Sequence, residues 1–150
     1  MIGELTFAQI QQVLFSQVVG RIGCFADNKI YVVPVTFVYD GKDIYVHSKE
    51  GLKITMMRKN PNVCFEVDVM ENMANWRSVI VWGRYEELKT EVAYKKGMKI
   101  LSDRLSPLII SHTAQVGIDL SMAPLKVERQ KKAIAYRIKI NESTGKFEKN

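Results

Sequence analysis

Apolar and polar positions fall into two rhythms along this chain. In TFAQIQQVLFS (6–16), Phe7, Ile10, Val13 and Leu14 recur at helical spacing, which predicts an amphipathic helix. Thr6 followed by Gln9 fits a capping box, in which side chain and backbone satisfy each other's orphan donors. The next stretch, VVGRIGCFADNKIYVVPVTFVYDGKDIYVHS, is rich in Val, Ile, Tyr and Phe with turn signals at intervals. It predicts strands at about 18–25, 29–39 and 43–47, joined at Asp27-Asn28 and at Asp40-Gly41, residues that accept positive φ. Pro34 sits inside the second strand. It cannot donate to a ladder, so that strand lies at an edge or carries a bulge. Residues 50–59 predict a short helix ended by Asn60-Pro61. VCFEVDV (63–69) alternates as a strand, MENMAN (70–75) reads as a loop, and WRSVIVWGRYEEL (76–88) as a long strand bent at Gly83. Thr90 caps a predicted helix over EVAYKKGMKILSDRL. Residues 106–130 read as loop and irregular structure, 131–142 as a last strand, and STGKFEKN as a polar tail with a mobile end.

Six strands, mostly early and joined by tight turns, with two or three helices, predict a mostly β chain: an antiparallel barrel or sandwich with helices packed outside. The 150 residues suit a single domain spanning 1–150. Composition is that of an ordinary globular chain, 47% hydrophobic and 25% charged. No apolar run is long enough to span a bilayer, and MIGELTFAQIQQ lacks the basic and apolar regions of a signal peptide. A cytoplasmic protein is expected, with no membrane partner. Cys24 and Cys64 both sit among apolar, strand-like neighbours and read as small buried hydrophobes; no metal-ligand spacing is present. The net charge of +6 would suit an anionic partner. The basic clusters KKGMK (95–99) and ERQKK (128–132) lack interleaved aromatics, so a solvated basic surface is the stronger reading and no nucleic acid is expected.

The sharpest local signal is HSKEGLK (47–53), where a strand gives way to a helix. A helix start presents unpaired N–H groups and a partial positive charge. His47 adds an imidazole, Ser48 a hydroxyl, Gly51 close backbone approach and Lys53 a full charge. Such a set suits a phosphate. The plainer alternative is that Ser48 caps the helix and Lys53 is solvated.

These stretches together carry a resemblance. VPVTFVYDGKDIYVHS, the GLK that follows, NPNVCFEVD and SVIVWGRYEEL resemble the pyridoxamine-5′-phosphate-oxidase-like FMN-binding split barrels, nearest the branch of the nitroimidazole-resistance proteins. The resemblance covers about residues 7–90, and YRIKINESTGK matches that branch too. It implies a six-stranded antiparallel split barrel with flanking helices, dimerising around FMN. It also implies that Val33, Pro34, Val35 and Thr36 line the flavin ring, that His47, Ser48 and Lys53 hold the phosphate, and that Arg77 and Ser78 approach the cofactor from the next strand. No counterpart of the oxidase's C-terminal substrate-binding arginine motif is present.

The function this implies is an FMN-dependent oxidoreductase. Electrons would pass from NAD(P)H through FMN to a small acceptor, nitroaromatics included, with no catalytic side chain assigned. The alternative is a non-catalytic flavin or haem binder. Trp76 and Trp82, six apart, share one strand face and read as core or interface packing. His112 reads as a surface or loop residue. Asp119, Glu128 and the other carboxylates show no paired spacing for acid–base work.

Overall fold

The computed structural model describes residues 1–108 and 133–150. Eight strands and three helices follow in the order β1 (Ile2–Glu4), α1 (Phe7–Ser16), β2 (Val19–Ala26), β3 (Lys29–Thr36), β4 (Val38–Tyr39), β5 (Asp43–Ser48), α2 (Leu52–Lys59), β6 (Asn62–Asn72), β7 (Asn75–Glu87), α3 (Glu91–Leu105) and β8 (Ile134–Glu148). A short 3₁₀ turn, Ser106–Leu108, follows α3. All strands join one antiparallel sheet in the order β3-β2-β6-β7-β8-β5-β4, with β1 added to β8. The sheet curls until β3 approaches β5, which is the half-closed form of a split barrel. Among the described residues the strands number eight, where six were expected.

The interior is filled by alternate residues of the long strands. Ile22, Phe65, Val67, Val79, Val81, Tyr136 and Ile138 are fully buried, joined by Val13 of α1 and by Ile54 and Met57 of α2. Phe37 and Phe65 meet edge to face with centroids 5.1 Å apart, a favoured aromatic geometry. A second cluster forms on the other side of β5, where Val38 and Tyr45 pack on Leu101 and Leu105 of α3. Strand β5 is therefore covered on both faces, and every one of its residues is buried.

Local chemistry explains the boundaries. Thr6 and Gln9 form the expected capping box: Gln9 N–H donates to Thr6 Oγ1 (3.3 Å) and Thr6 N–H to Gln9 Oε1 (2.8 Å). Asp27 and Asn28 both take positive φ in the β2–β3 turn. In the second turn only Gly41 does. Asp40 acts through its side chain instead, its Oδ1 accepting from the N–H groups of Lys42 and Asp43. Pro34 lies in an edge strand, as its missing donor requires. At Gly83 the β7–β8 register slips, leaving Asn141 unmatched between Ile140 and Glu142. A Cβ on Gly83 would come within 2.6 Å of the Lys139 carbonyl, so only glycine allows the strands this close.

Several expectations are corrected. The loop at 70–75 shrinks to a turn at 73–74, with Asn72 and Asn75 paired across it. The tail is not free: β8 runs to Glu148, because Lys146, Phe147 and Glu148 pair with β1 on one side and β7 on the other. Cys24 is buried but Cys64 is exposed. Gly23 pairs with Cys64, so Cys24 faces the opposite side of the sheet. The irregular stretch expected at 106–130 falls, from 109 on, outside the described residues, as do the start of the last strand at 131, His112, Asp119 and Glu128. No helix among the described residues is long and apolar enough to cross a membrane.

Candidate functional site

The polar junction at residues 47–53 is built where the two ends of the sheet approach each other. His47 and Ser48 end β5, pairing with Ala135 and Ile134 of β8. Both are buried, with 6% and 4% of their surface exposed. Consecutive strand residues point to opposite faces. His47 therefore shares the α3 side with Tyr45, and Ser48 the side of Ile44 and Val46. Ser48 does not cap α2. Its Oγ donates to the Lys49 carbonyl at 2.9 Å.

The cap of α2 is Gly51, and it makes no side-chain hydrogen bond to the helix. Its φ of 179° is plain extended backbone. A Cβ built there meets nothing within 4 Å, so the space over the first turn is open on the side of the described residues. Lys53 lies half-buried in the first turn, on a helix that packs against β2. Its charge reaches the Cys24 thiol, whose pKa is raised by burial first and by Cys64 next, with Lys53 opposing. An anion over α2 would thus meet free N–H groups, the positive end of the helix and a lysine.

Strand β3 forms the neighbouring wall. Val33 and Val35 turn inward and pack on the core, while Pro34 faces out. Thr36 pairs with Val19 at the end of the β2–β3 ladder. Because β3 ends the sheet, one edge of it offers backbone N–H and C=O groups that no strand among the described residues takes up. Strand β3 approaches β5, and α2 follows β5 in the chain, so the residues expected at 33–36, 47–48 and 53 lie on neighbouring elements.

Arg77 and Ser78 are not part of this set within one chain. They lie on β7, separated from β3 by β2 and β6, roughly 14 Å at normal strand spacing. They also diverge. Arg77 stands between Val69 and Phe147 on the inner face, and Ser78 opposite Asp68 on the outer one.

Two features of that outer face were missed in the sequence. The first is apolar. Phe25, Ile30, Val32, Ile80 and Trp82 stand exposed together, Ile30 at 77% and Val32 at 63%. Around Gly23 and Cys64, Phe25, Ile30, Val32 and Trp82 line a groove of about 360 Å³. The second is a charge cluster. Arg21 Nη1 lies 3.6 Å from Glu66 and 3.4 Å from Asp68. Burial, then the neighbouring Asp68, pushes the Glu66 carboxyl up to about 7, against the pull of Arg21. The spacing E-x-D in a strand puts both carboxylates on one face, where Arg21 pairs with them.

Comparison with known proteins agrees with the fold. A protein of Mesorhizobium loti named as FAD-binding is 27% identical, with a TM-score of 0.75 over 100% of this chain and 98% of its own. A Bacteroides thetaiotaomicron protein provisionally named a 5-nitroimidazole antibiotic resistance protein superposes with a TM-score of 0.72, covering 98% of this chain and 87% of that one at 18% identity. An uncharacterized protein of Rhizobium meliloti (strain 1021) is 36% identical over 80 residues; the match spans 53% of this chain and 53% of that relative. The family model described as Pyridoxamine 5′-phosphate oxidase matches residues 7–147, so the chain belongs to that family.

Proposed function

We propose that this protein binds FMN between two copies of itself and works as an oxidoreductase, passing electrons from NAD(P)H to a small acceptor, with nitroaromatics the first class to test. The observation that carries the reading is the open first turn of α2, with Gly51 leaving it clear, Lys53 within that turn, and Ser48 and His47 ending the strand that leads into it. The donor set fits a phosphate monoester, which carries about −1.5 to −2 charge at neutral pH. Lys53 supplies the charge and the α2 N–H groups the geometry. The free edge of β3 at Val33, Pro34, Val35 and Thr36 suits the polar rim of a flat heterocycle. FMN, when bound, supplies the redox chemistry, and the protein positions it.

The dimer reading rests on the exposed apolar outer face. Patches of this kind mark interaction surfaces. A second copy seated there would cover Phe25, Ile30, Val32 and Trp82 and would bring its own Ser78 toward this chain's β3. An exposed free Cys64 is in keeping with a reducing cytoplasm.

The deciding experiment is a visible spectrum of the purified protein after FMN is added and the excess removed, followed by an NAD(P)H oxidation assay with a nitroaromatic. A retained two-band flavin spectrum and acceptor-dependent turnover are expected. No retained flavin overturns the cofactor, and a Soret band replaces it with haem. Retained flavin without turnover reduces the protein to a flavin binder.

A further inference from the structure

Strand β7 turns Val79, Val81 and Tyr85 toward the interior, all buried. Two residues before Val79, the same face carries Arg77, flanked by Val69 and Phe147. It is half-buried and borders a cavity of about 400 Å³ at the end of the barrel where β1 closes on β8. Leu5, Val69 and Phe147 supply the apolar wall. Arg21, Arg58 and Arg137 each hold a carboxylate. The Arg77 side chain makes no hydrogen bond or ion pair among the described residues. Its guanidinium offers five donors in a fixed fork.

We propose that this cavity is a second ligand site, distinct from the flavin junction, and that it takes a small monocarboxylate with a flat apolar body. A carboxylate matches the Arg77 fork bidentately. The body lies against Leu5, Val69 and Phe147. Gln9 has its Oε1 engaged by the Thr6 N–H, which leaves its amide N–H₂ as a second donor to the anion. Charge decides against a dianion. Glu71 and Glu148 stand at the same cavity and offset Arg77 and Lys149, so the lining holds no excess positive charge to meet a second negative one beyond the carboxylate paired with Arg77. Glu148 does not compete for Arg77, because its Oε2 is held by the Trp76 indole N–H at 3.0 Å. The volume falls at the small end of ligand pockets, about 300–1,000 Å³.

Trp76 lines the cavity and serves as reporter. The full chain is titrated with 3-phenylpropionate and, separately, with the uncharged 3-phenylpropanamide, following tryptophan fluorescence, with and without FMN. The acid is expected to saturate at or below about 1 mM, at least tenfold tighter than the amide, whether or not FMN is present. Arg77→Gln should lose that preference while FMN retention stays unchanged. Absence of saturation by the acid, or equal binding of acid and amide, overturns the site, and neither needs a variant that folds. Loss of FMN from a folded Arg77→Gln protein also overturns it, by placing Arg77 at the cofactor. Because the acid–amide comparison is made without FMN as well, its result stands apart from the flavin reading.

Discussion

The two faces of the sheet differ less than they should in a protein that meets water on one side. Such a sheet shows hydrophobic-in, polar-out alternation. Strand β8 obeys this beside β7, setting Glu142, Thr144 and Lys146 on the outer face. Strands β3, β2 and β7 do not. Behind the buried Ile22, Phe65, Val79 and Val81 they place Ile30, Val32, Phe25, Ile80 and Trp82 outside. The inner face is explained by the monomer's own core. The outer face is the one the proposed second copy would cover.

Substitution should separate the two faces. Phe65→Ala has the largest expected effect. Its ring is fully buried against Phe37 and over Gly20, which carries no side chain there because the ring occupies the space. Loss of about 3–5 kcal/mol is expected, read as a lower urea midpoint. Trp82→Glu comes next. It leaves the interior untouched but puts a charge at the centre of the apolar groove. The expected cost is at least about 2 kcal/mol in association, as for interface hot spots, seen as monomer in sedimentation with FMN released. A variant that still sediments as a dimer would move the interface elsewhere.

How much of this was legible in the sequence follows from how local each signal is. The helices, the β2–β3 turn, Pro34 and Gly83 were readable because each is decided within a few residues. Strand β1 was not, since three residues show no period and their pairing partners lie at the other end of the chain. The end of β8 was missed because Phe147 is its one large apolar residue, and the strand there is held by its neighbours. The junction from His47 to Lys53 was visible as a contiguous segment, yet the opposed directions of His47 and Ser48 needed the strand in place. Arg77 could have been assigned a face by counting back from Val79 and Val81, and Glu66 with Asp68 likewise. The Arg77 cavity could not, because α1, β6, β7, β8 and the residues flanking β1 all contribute to it.

Lys53→Ala sharpens the comparison from the other side, since it touches neither face of the central strands. Deleting a charge-assisted contact should weaken FMN binding by roughly 1.5–3 kcal/mol, with sedimentation unchanged. Equilibrium titration of FMN fluorescence measures this. Unchanged affinity would remove the phosphate from the α2 start.

The smallest effect expected is also the most specific to the outer face. Glu66 faces Arg21 on β2 and Asp68 on its own strand, while β7 brings the uncharged Ile80 and Ser78. With its pKa raised to about 7 by burial and by Asp68, the folded chain holds a proton that the unfolded chain gives up near the ordinary glutamate value. The stabilisation from that proton is complete below the unfolded pKa and is lost as pH rises through the folded one. Glu66→Gln keeps the shape and removes the titration. Urea midpoints of the two proteins should lie together near about pH 5 and separate in favour of the variant by about pH 8. With the side chain 31% exposed, the gap should stay below about 1 kcal/mol. A variant that is less stable at the higher pH would show that attraction to Arg21 outweighs burial and Asp68. If a second copy covers this face, burial deepens, and the window in which the two proteins part should move upward as protein concentration is raised. A solvent-exposed face would leave that window where it is.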